Sequence, residues 1–252
     1  VLKVFIMTLR DEFEKSGKWL FRWRSYLPLI MLGLLLITIR DFKYIGNSHS
    51  LDMFWEVACL LVSLFGLGIR IYTIGHVPKG TSGRNTKAQK ADILNTTGIY
   101  SVVRHPLYLG NFFVYLGMSL FVHIWWLTLI YILAFCVYYE RIMFAEEAFL
   151  RQKFGDTFEK WANETPAFIP NFKRWVSPNL PFSFKNILKR EYSGFFGIIA
   201  TFTLLAVIGD LVVTGEIEID LMWIIIFTVG FITYITLRTL RKKTKILHVK
   251  GR

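Results

Sequence analysis

Residues 107–139 read LYLGNFFVYLGMSLFVHIWWLTLIYILAFCVYY, without a single Asp, Glu, Lys or Arg. As one helix rising ~1.5 Å per residue, this stretch would run on the order of 50 Å, well past a hydrocarbon core about 30 Å thick. Two helices joined by a tight turn near His123 fit one bilayer, and a hairpin sends both flanking polar stretches to the same side. Working outward, the hairpin divides into apolar runs at 107–122 and 124–139, and others lie at 26–39, 54–69, 195–213 and 221–237. The expectation is an all-α, polytopic transmembrane helical bundle of about six spans.

Composition supports the bilayer. Of 252 residues, 54% are hydrophobic and 19% charged, and the mean hydropathy is +0.43; a water-soluble domain of this length has too little interior to hide that apolar surface. The same figures exclude a disordered chain, a collagen-like fibre and a disulfide-stapled module. Cys59 and Cys136 lie singly inside apolar runs, which rules out a C-x-x-C redox pair or a Cys-rich zinc cluster. No H-E-x-x-H, G-x-S-x-G or P-loop occurs, so no metal ligand set is expected. Gly66 and Gly68 form a GxG within an apolar helix, where helix packing is the expected role.

A net charge of +12 suggests nucleic acid in a soluble protein; here it reports orientation, and no nucleic-acid partner is expected. With six spans and both termini on the cytoplasmic side, only Arg40 and Lys43 of the 30 Lys+Arg face outward. Reading 107–139 as one span would instead place Arg151, Lys153, Lys160 and Lys173 outside, against the positive-inside bias. The organisation expected is an interfacial amphipathic helix rather than a cleavable signal over 1–25, a first span and outer loop over 26–50, and the functional core over 51–175. A cytoplasmic linker follows over 176–191, then a C-terminal transmembrane hairpin over 192–237 and a basic cytoplasmic tail over 238–252. Glu56, Arg70 and Asp210 fall toward the ends of their runs, which disfavours a transporter or proton relay.

Polar character concentrates in two stretches flanking the hairpin. The first, from Gly98 through Tyr100, Arg104, His105, Pro106, Tyr108 and Gly110 to Asn111, places Pro106 where a helix begins. Arg104 and His105 then stand beside free backbone amides as an anion-binding corner, with Tyr108 on the same face. The second runs from Glu140 through Glu146, Glu147 and Arg151 to Phe154 and Gly155, and on through Phe158 and Trp161 to Pro166 and Pro170. Glu147 and Arg151, four residues apart on a helix, make an ordinary supporting pair. Two adjacent carboxylates facing an Arg-His corner across a hairpin suit a ligand that carries both a cation and an anion.

The pattern Gly-x-Tyr-x-x-x-Arg-His-Pro-x-Tyr-x-Gly, then an apolar hairpin, then Glu-Glu-x-x-Leu-x-x-x-Phe-Gly-x-x-Phe and a Pro-terminated aromatic segment, resembles the isoprenylcysteine carboxyl methyltransferase and phospholipid methyltransferase superfamily of membrane enzymes. The match covers 54–175, and Phe158 stands where many relatives have Tyr. The resemblance implies S-adenosylmethionine as cofactor, held at the cytoplasmic face by Tyr100, His105, Pro106, Tyr108, Gly110, Glu146 and Glu147. It places Arg104, Glu147 and Arg151 near the reacting groups. Tyr100, Tyr108 and Glu147 suit a sulfonium, and Arg104 or Arg151 suits an ionised acceptor. An amine or thiol acceptor instead needs a base, for which His105 is the candidate.

The implied activity is S-adenosylmethionine-dependent methylation of a lipid or lipidated acceptor entering from the bilayer. The many Arg residues favour O-methylation of a carboxylate, as in a prenylcysteine, or of a lipid phosphate. N-methylation of a phospholipid amine and S-methylation of a small thiol are the alternatives. A non-catalytic membrane scaffold, using the basic tail and C-terminal hairpin, is the rival from another class.

Overall fold

The computed structural model describes residues 8–78, 80–81, 89, 91–249 and 251, and among these the chain is all-helical apart from one isolated bridge between Gly98 and Val176. The principal helices are α1 (Leu9–Trp23), α2 (Leu27–Thr38), α3 (His49–His76), α4 (Pro106–Leu120), α5 (Trp125–Phe154), α6 (Asp156–Glu164), α7 (Phe184–Thr214) and α8 (Leu221–Lys243). Local chemistry sets the boundaries. Thr8, Ser48 and Ser183 cap the amino ends of α1, α3 and α7 through their side chains, and Pro106 opens α4. The charge-free stretch reverses over 121–124, where His123 takes φ +58°, and the Thr128 hydroxyl donates across the turn to the Ser119 carbonyl.

Four helices, α3, α5, α7 and α8, are long and apolar enough to cross a membrane. α2 and α4, at 12 and 15 residues, fall short of the ~20 residues of a perpendicular span. Leu61, Phe65, Leu133, Val137, Ile225 and Phe231 are exposed, as lipid-facing positions must be if the apolar surface is not to meet water. The chain is an integral membrane protein.

Packing inside the bundle centres on α3, which lies against both α4 and α7. Phe42, Cys59, Leu67, Met118, Phe121, Phe202 and Trp223 fill the main core, while Tyr108, Tyr131, Phe135 and Tyr139 form an aromatic cluster that also receives Phe21 of α1. α1 was expected at the membrane interface over 1–25. Its described part docks on the far end of α5, where the Arg141 guanidinium stacks over the Phe13 ring at 3.3 Å and Phe13 meets Phe144 edge-on. Residues 1–7 of that segment lie outside the described residues. α7 begins within the segment read as a linker, and α8 continues into the segment read as a tail.

Helices α3 and α4 approach closely because small residues face each other. A Cβ on Gly66 would lie 2.4 Å from the Gly110 carbonyl oxygen, and one on Gly117 would lie 2.3 Å from Ser63 Oγ. The Ser63 hydroxyl uses this proximity to donate to the Val114 carbonyl at 2.7 Å. Gly68, the other member of the GxG, has nothing within 4 Å of such a Cβ. Gly66→Ala should therefore lower the thermal unfolding midpoint in detergent, at a cost of about 1–3 kcal/mol from overpacking. Gly68→Ala should leave the midpoint unchanged or raise it slightly.

Candidate active site

The loop before α4 is held by the Pro-containing segment that follows α6. Arg104 N donates to the Pro166 carbonyl at 2.9 Å, His105 N to the Ala167 carbonyl at 3.2 Å, and Asn171 N to the Val102 carbonyl at 2.9 Å. Trp161 Nε1 donates to the Tyr100 carbonyl at 3.0 Å. These bonds satisfy backbone that no helix or sheet ladder reaches, and they fix where the side chains of Tyr100, Arg104 and His105 point.

Across the hairpin, α5 brings two carboxylates to those side chains. Glu147 Oε1 accepts from Arg104 Nε at 2.8 Å and lies 3.0 Å from His105 Nε2. Glu146 Oε1 accepts from the Tyr108 hydroxyl at 2.7 Å, and Glu146 Oε2 stands 3.6 Å from His105 Nδ1. Arg104 also donates to the carbonyls of Ala162 and Thr165. Burial works against the charged form of His105, but hydrogen bonds and charge from Glu146 and Glu147 outweigh it and hold the imidazole above its ordinary pKa. Burial, reinforced by Glu146, raises the Tyr100 phenol, which stays a neutral hydroxyl.

A cavity of about 760 Å³ opens beside this network. Tyr100, Arg104, His105, Pro106, Tyr108 and Glu146 line it. Glu147 stands behind Arg104 and His105. Gly110 faces α3, where a Cβ would lie 2.5 Å from Arg70 Cγ, so its small size serves helix packing. Arg151 is turned away: it pairs with Glu159 on an exposed surface, while Glu147 takes Arg104 as its partner. Phe158, fully buried, packs edge-on against Trp161.

Sequence reasoning missed the far wall of the cavity. Arg70 of α3 makes two bonds to Glu191 of α7, at 2.9 and 2.8 Å, and a third to Asn111 Oδ1 at 2.7 Å. Asn111 passes the chain on to the Tyr139 hydroxyl at 3.1 Å. Arg70, Asn111, Tyr139 and Glu191 all line the cavity, with Gly194, Gly197 and Ile198 of α7 and Leu29, Leu32 and Leu35 of α2 along its apolar side. The only signal in the sequence was a lone cation at the end of one apolar run and a lone acid before another.

Residues 55–157 match the family model for phospholipid methyltransferase. The chain is 35% identical over 85 residues to the protein-S-isoprenylcysteine O-methyltransferase of Schizosaccharomyces pombe, covering 34% of this chain and 36% of that protein. These matches support the isoprenylcysteine carboxyl methyltransferase and phospholipid methyltransferase superfamily as the chain's family. Two longer matches are to proteins named for metal resistance. The nickel-cobalt-cadmium resistance protein NccN of Alcaligenes xylosoxydans xylosoxydans is 31% identical over 62% of this chain and 66% of its own length. The cobalt-zinc-cadmium resistance protein CzcN of Cupriavidus metallidurans is 33% identical over 59% of this chain and 62% of its own length. The chain thus spans just under two thirds of these two relatives. No solved structure matches. The family model ends before α7, so Glu191 and the α7 wall of the cavity lie outside the matched segment.

The raised pKa of His105 fixes a pH dependence. Its pairing with the two carboxylates stabilises the fold fully below the ordinary imidazole value of about 6.5, and that contribution is lost as pH rises through the raised folded-state value. Glu147→Gln removes one carboxylate and should move the His105 titration midpoint, followed by NMR of ring-labelled histidine, to lower pH. Arg151→Ala should leave it in place.

Proposed function

We propose that this chain is an S-adenosylmethionine-dependent methyltransferase acting on an acceptor that reaches the cavity from the bilayer. The observation that carries the reading is the junction of the two motifs: Glu146 and Glu147 from α5 meet Arg104, His105 and Tyr108 beside a cavity that α2 and α7 line with apolar residues. The donor set fits the cofactor. Tyr100, Tyr108 and Glu146 offer aromatic faces and negative charge for a sulfonium, and Arg104 with His105 offers positive charge for a carboxylate. Bound there, S-adenosylmethionine supplies an electrophilic methyl group.

The chain's own residues contribute orientation and a preset field. Glu147 holds Arg104 and His105, Glu146 fixes the Tyr108 hydroxyl, and the surrounding helices exclude water from the reacting centre. The pairing with Glu146 and Glu147 favours the charged form of His105 and so works against its accepting a further proton. This favours an acceptor that arrives already ionised, a carboxylate or a lipid phosphate, over an amine that must first lose a proton. The apolar side lined by α2 and α7 suits a lipid chain.

The Lys+Arg distribution supports a membrane orientation with both termini and the site on the cytoplasmic side. α2 and α4 then serve as two short crossings beside the four long ones. A single cysteine at Asn163 should be labelled from the cytoplasmic side and one at Thr214 from the opposite side; labelling of both from one side would remove this orientation.

The direct test is incubation of purified protein with methyl-labelled cofactor and a total membrane extract from its source. Label should enter an O-linked product. A carboxyl ester would release volatile methanol in mild alkali, and a phosphate diester would resist it and stay with lipid. N-methylated headgroups would overturn the acceptor preference, and no transfer to any fraction would favour the scaffold reading. The names of NccN and CzcN support metal tolerance as a physiological setting; unchanged growth on cobalt or cadmium after deletion of the gene would dismiss it.

A further inference from the structure

The opposite end of the bundle carries a second set of chemistry-bearing side chains that the cavity does not use. Three turns meet there: 39–48 ahead of α3, 121–124 between α4 and α5, and 215–220 between α7 and α8. His49 at the start of α3, Asp210 near the end of α7 and Asp220 at the N-cap of α8 converge so that one ligand atom from each lies within 4.8 Å of the others. His49 Nε2 and Asp220 Oδ2 are 3.1 Å apart. Asp210 is 6% exposed and accepts from the Tyr44 hydroxyl at 3.0 Å.

The surroundings are arranged around these groups. Asp52, 2% exposed, accepts from Ile45 N at 3.4 Å, and its Oδ1 lies 3.3 Å from His123 Nε2. That ring nitrogen is closed to solvent, and among the described residues it finds no hydrogen bond of good geometry, an uncommon state for a buried polar atom. Asp52 is close enough to both His49 and Asp210 to feel their charge. Deeper still, Glu56 accepts from Trp223 Nε1 at 2.8 Å.

Charge at this end runs against the rest of the molecule. Although the chain carries +12 overall, Asp41, Asp52, Glu56, Asp210, Glu216, Glu218 and Asp220 gather here, with Arg40 and Lys43, both exposed, as the permanent cations of the same turns. Carboxylates held this close, and partly shielded from water, repel one another unless a positive charge sits among them.

We propose that His49, Asp210 and Asp220 bind one divalent transition-metal ion. One imidazole nitrogen and two carboxylate oxygens suit Zn²⁺, Co²⁺, Ni²⁺ or Mn²⁺ better than Ca²⁺ or Mg²⁺, which prefer oxygen alone. Metal–ligand bonds of about 2.0–2.2 Å in tetrahedral geometry hold ligand atoms roughly 3.4 Å apart. The separation of His49 from Asp220 is already near that value. Tyr44 orients Asp210 through its hydroxyl, as outer partners of metal ligands do. The site is separate from the proposed methyl-transfer cavity, and its existence does not rest on that activity.

The test uses the full chain, purified in detergent without an affinity tag and stripped by chelator and dialysis. It is titrated with Zn²⁺ by calorimetry and with Co²⁺ by visible absorption. One ion per chain is expected. His49→Ala and Asp220→Asn should each weaken binding by about tenfold or more, and Tyr44→Phe by a smaller factor. Size-exclusion profile and helical circular dichroism establish that each variant is folded, and His49→Gln stands in should His49→Ala fail. Absence of saturable binding by the wild type, or binding unchanged in folded His49 and Asp220 variants, would overturn the proposal and leave His49–Asp220 a plain ion pair.

Discussion

Glu147 accepts from Arg104 and His105 through one carboxylate oxygen, at 2.8 and 3.0 Å, and a carboxylate so far from bulk water must keep its partners. Removing one partner from such a pair costs on the order of 3 kcal/mol when it is fully enclosed. The side chain is 19% exposed, so the cost here is smaller, but the geometric demand is the same. It ties the far half of α5 to the loop before α4. The Pro-containing segment after α6 then clamps the loop from the other side through backbone bonds.

From that junction the rest of the cavity follows. Close contact of α3 with α4, permitted by Gly66, Gly110 and Gly117, brings Arg70 alongside Asn111. Arg70 in turn needs an anion, which α7 supplies as Glu191, 4% exposed. One chain of charge-assisted bonds therefore links α3, α4 and α7 around the apolar space, and the aromatic cluster at Tyr108, Tyr131, Phe135 and Tyr139 packs the side facing α5. The helices outside the matched family segment are thus part of the cavity wall, not an appendage.

What the sequence made legible was whatever chemistry is local. The hairpin showed as a charge-free stretch too long for one helix, the start of α4 as a Pro in its first turn, and the two polar motifs as dense runs on either side. Pairings between distant residues did not show. Arg70 and Glu191 stand 121 positions apart, and neither has a spacing that announces the other. His49, Asp210 and Asp220 belong to three elements and match no ligand motif, so a sequence reading without an expected metal site had nothing to detect. Arg151 illustrates the converse: an i,i+4 relation to Glu147 was visible, yet Arg104 and Glu159 offered the two side chains better partners. The short length of α2 and α4 was also hidden, since an apolar run does not report where the helix inside it ends.

The central claim, that the two motifs together make one cofactor site, is tested most directly by titrating purified protein with S-adenosylhomocysteine in a calorimeter. The account predicts saturable binding at one site per chain, abolished by His105→Ala and sharply weakened by Glu146→Gln, with Arg151→Ala behaving as wild type. Binding that survives both site variants, or no binding by the folded wild-type protein, would contradict it.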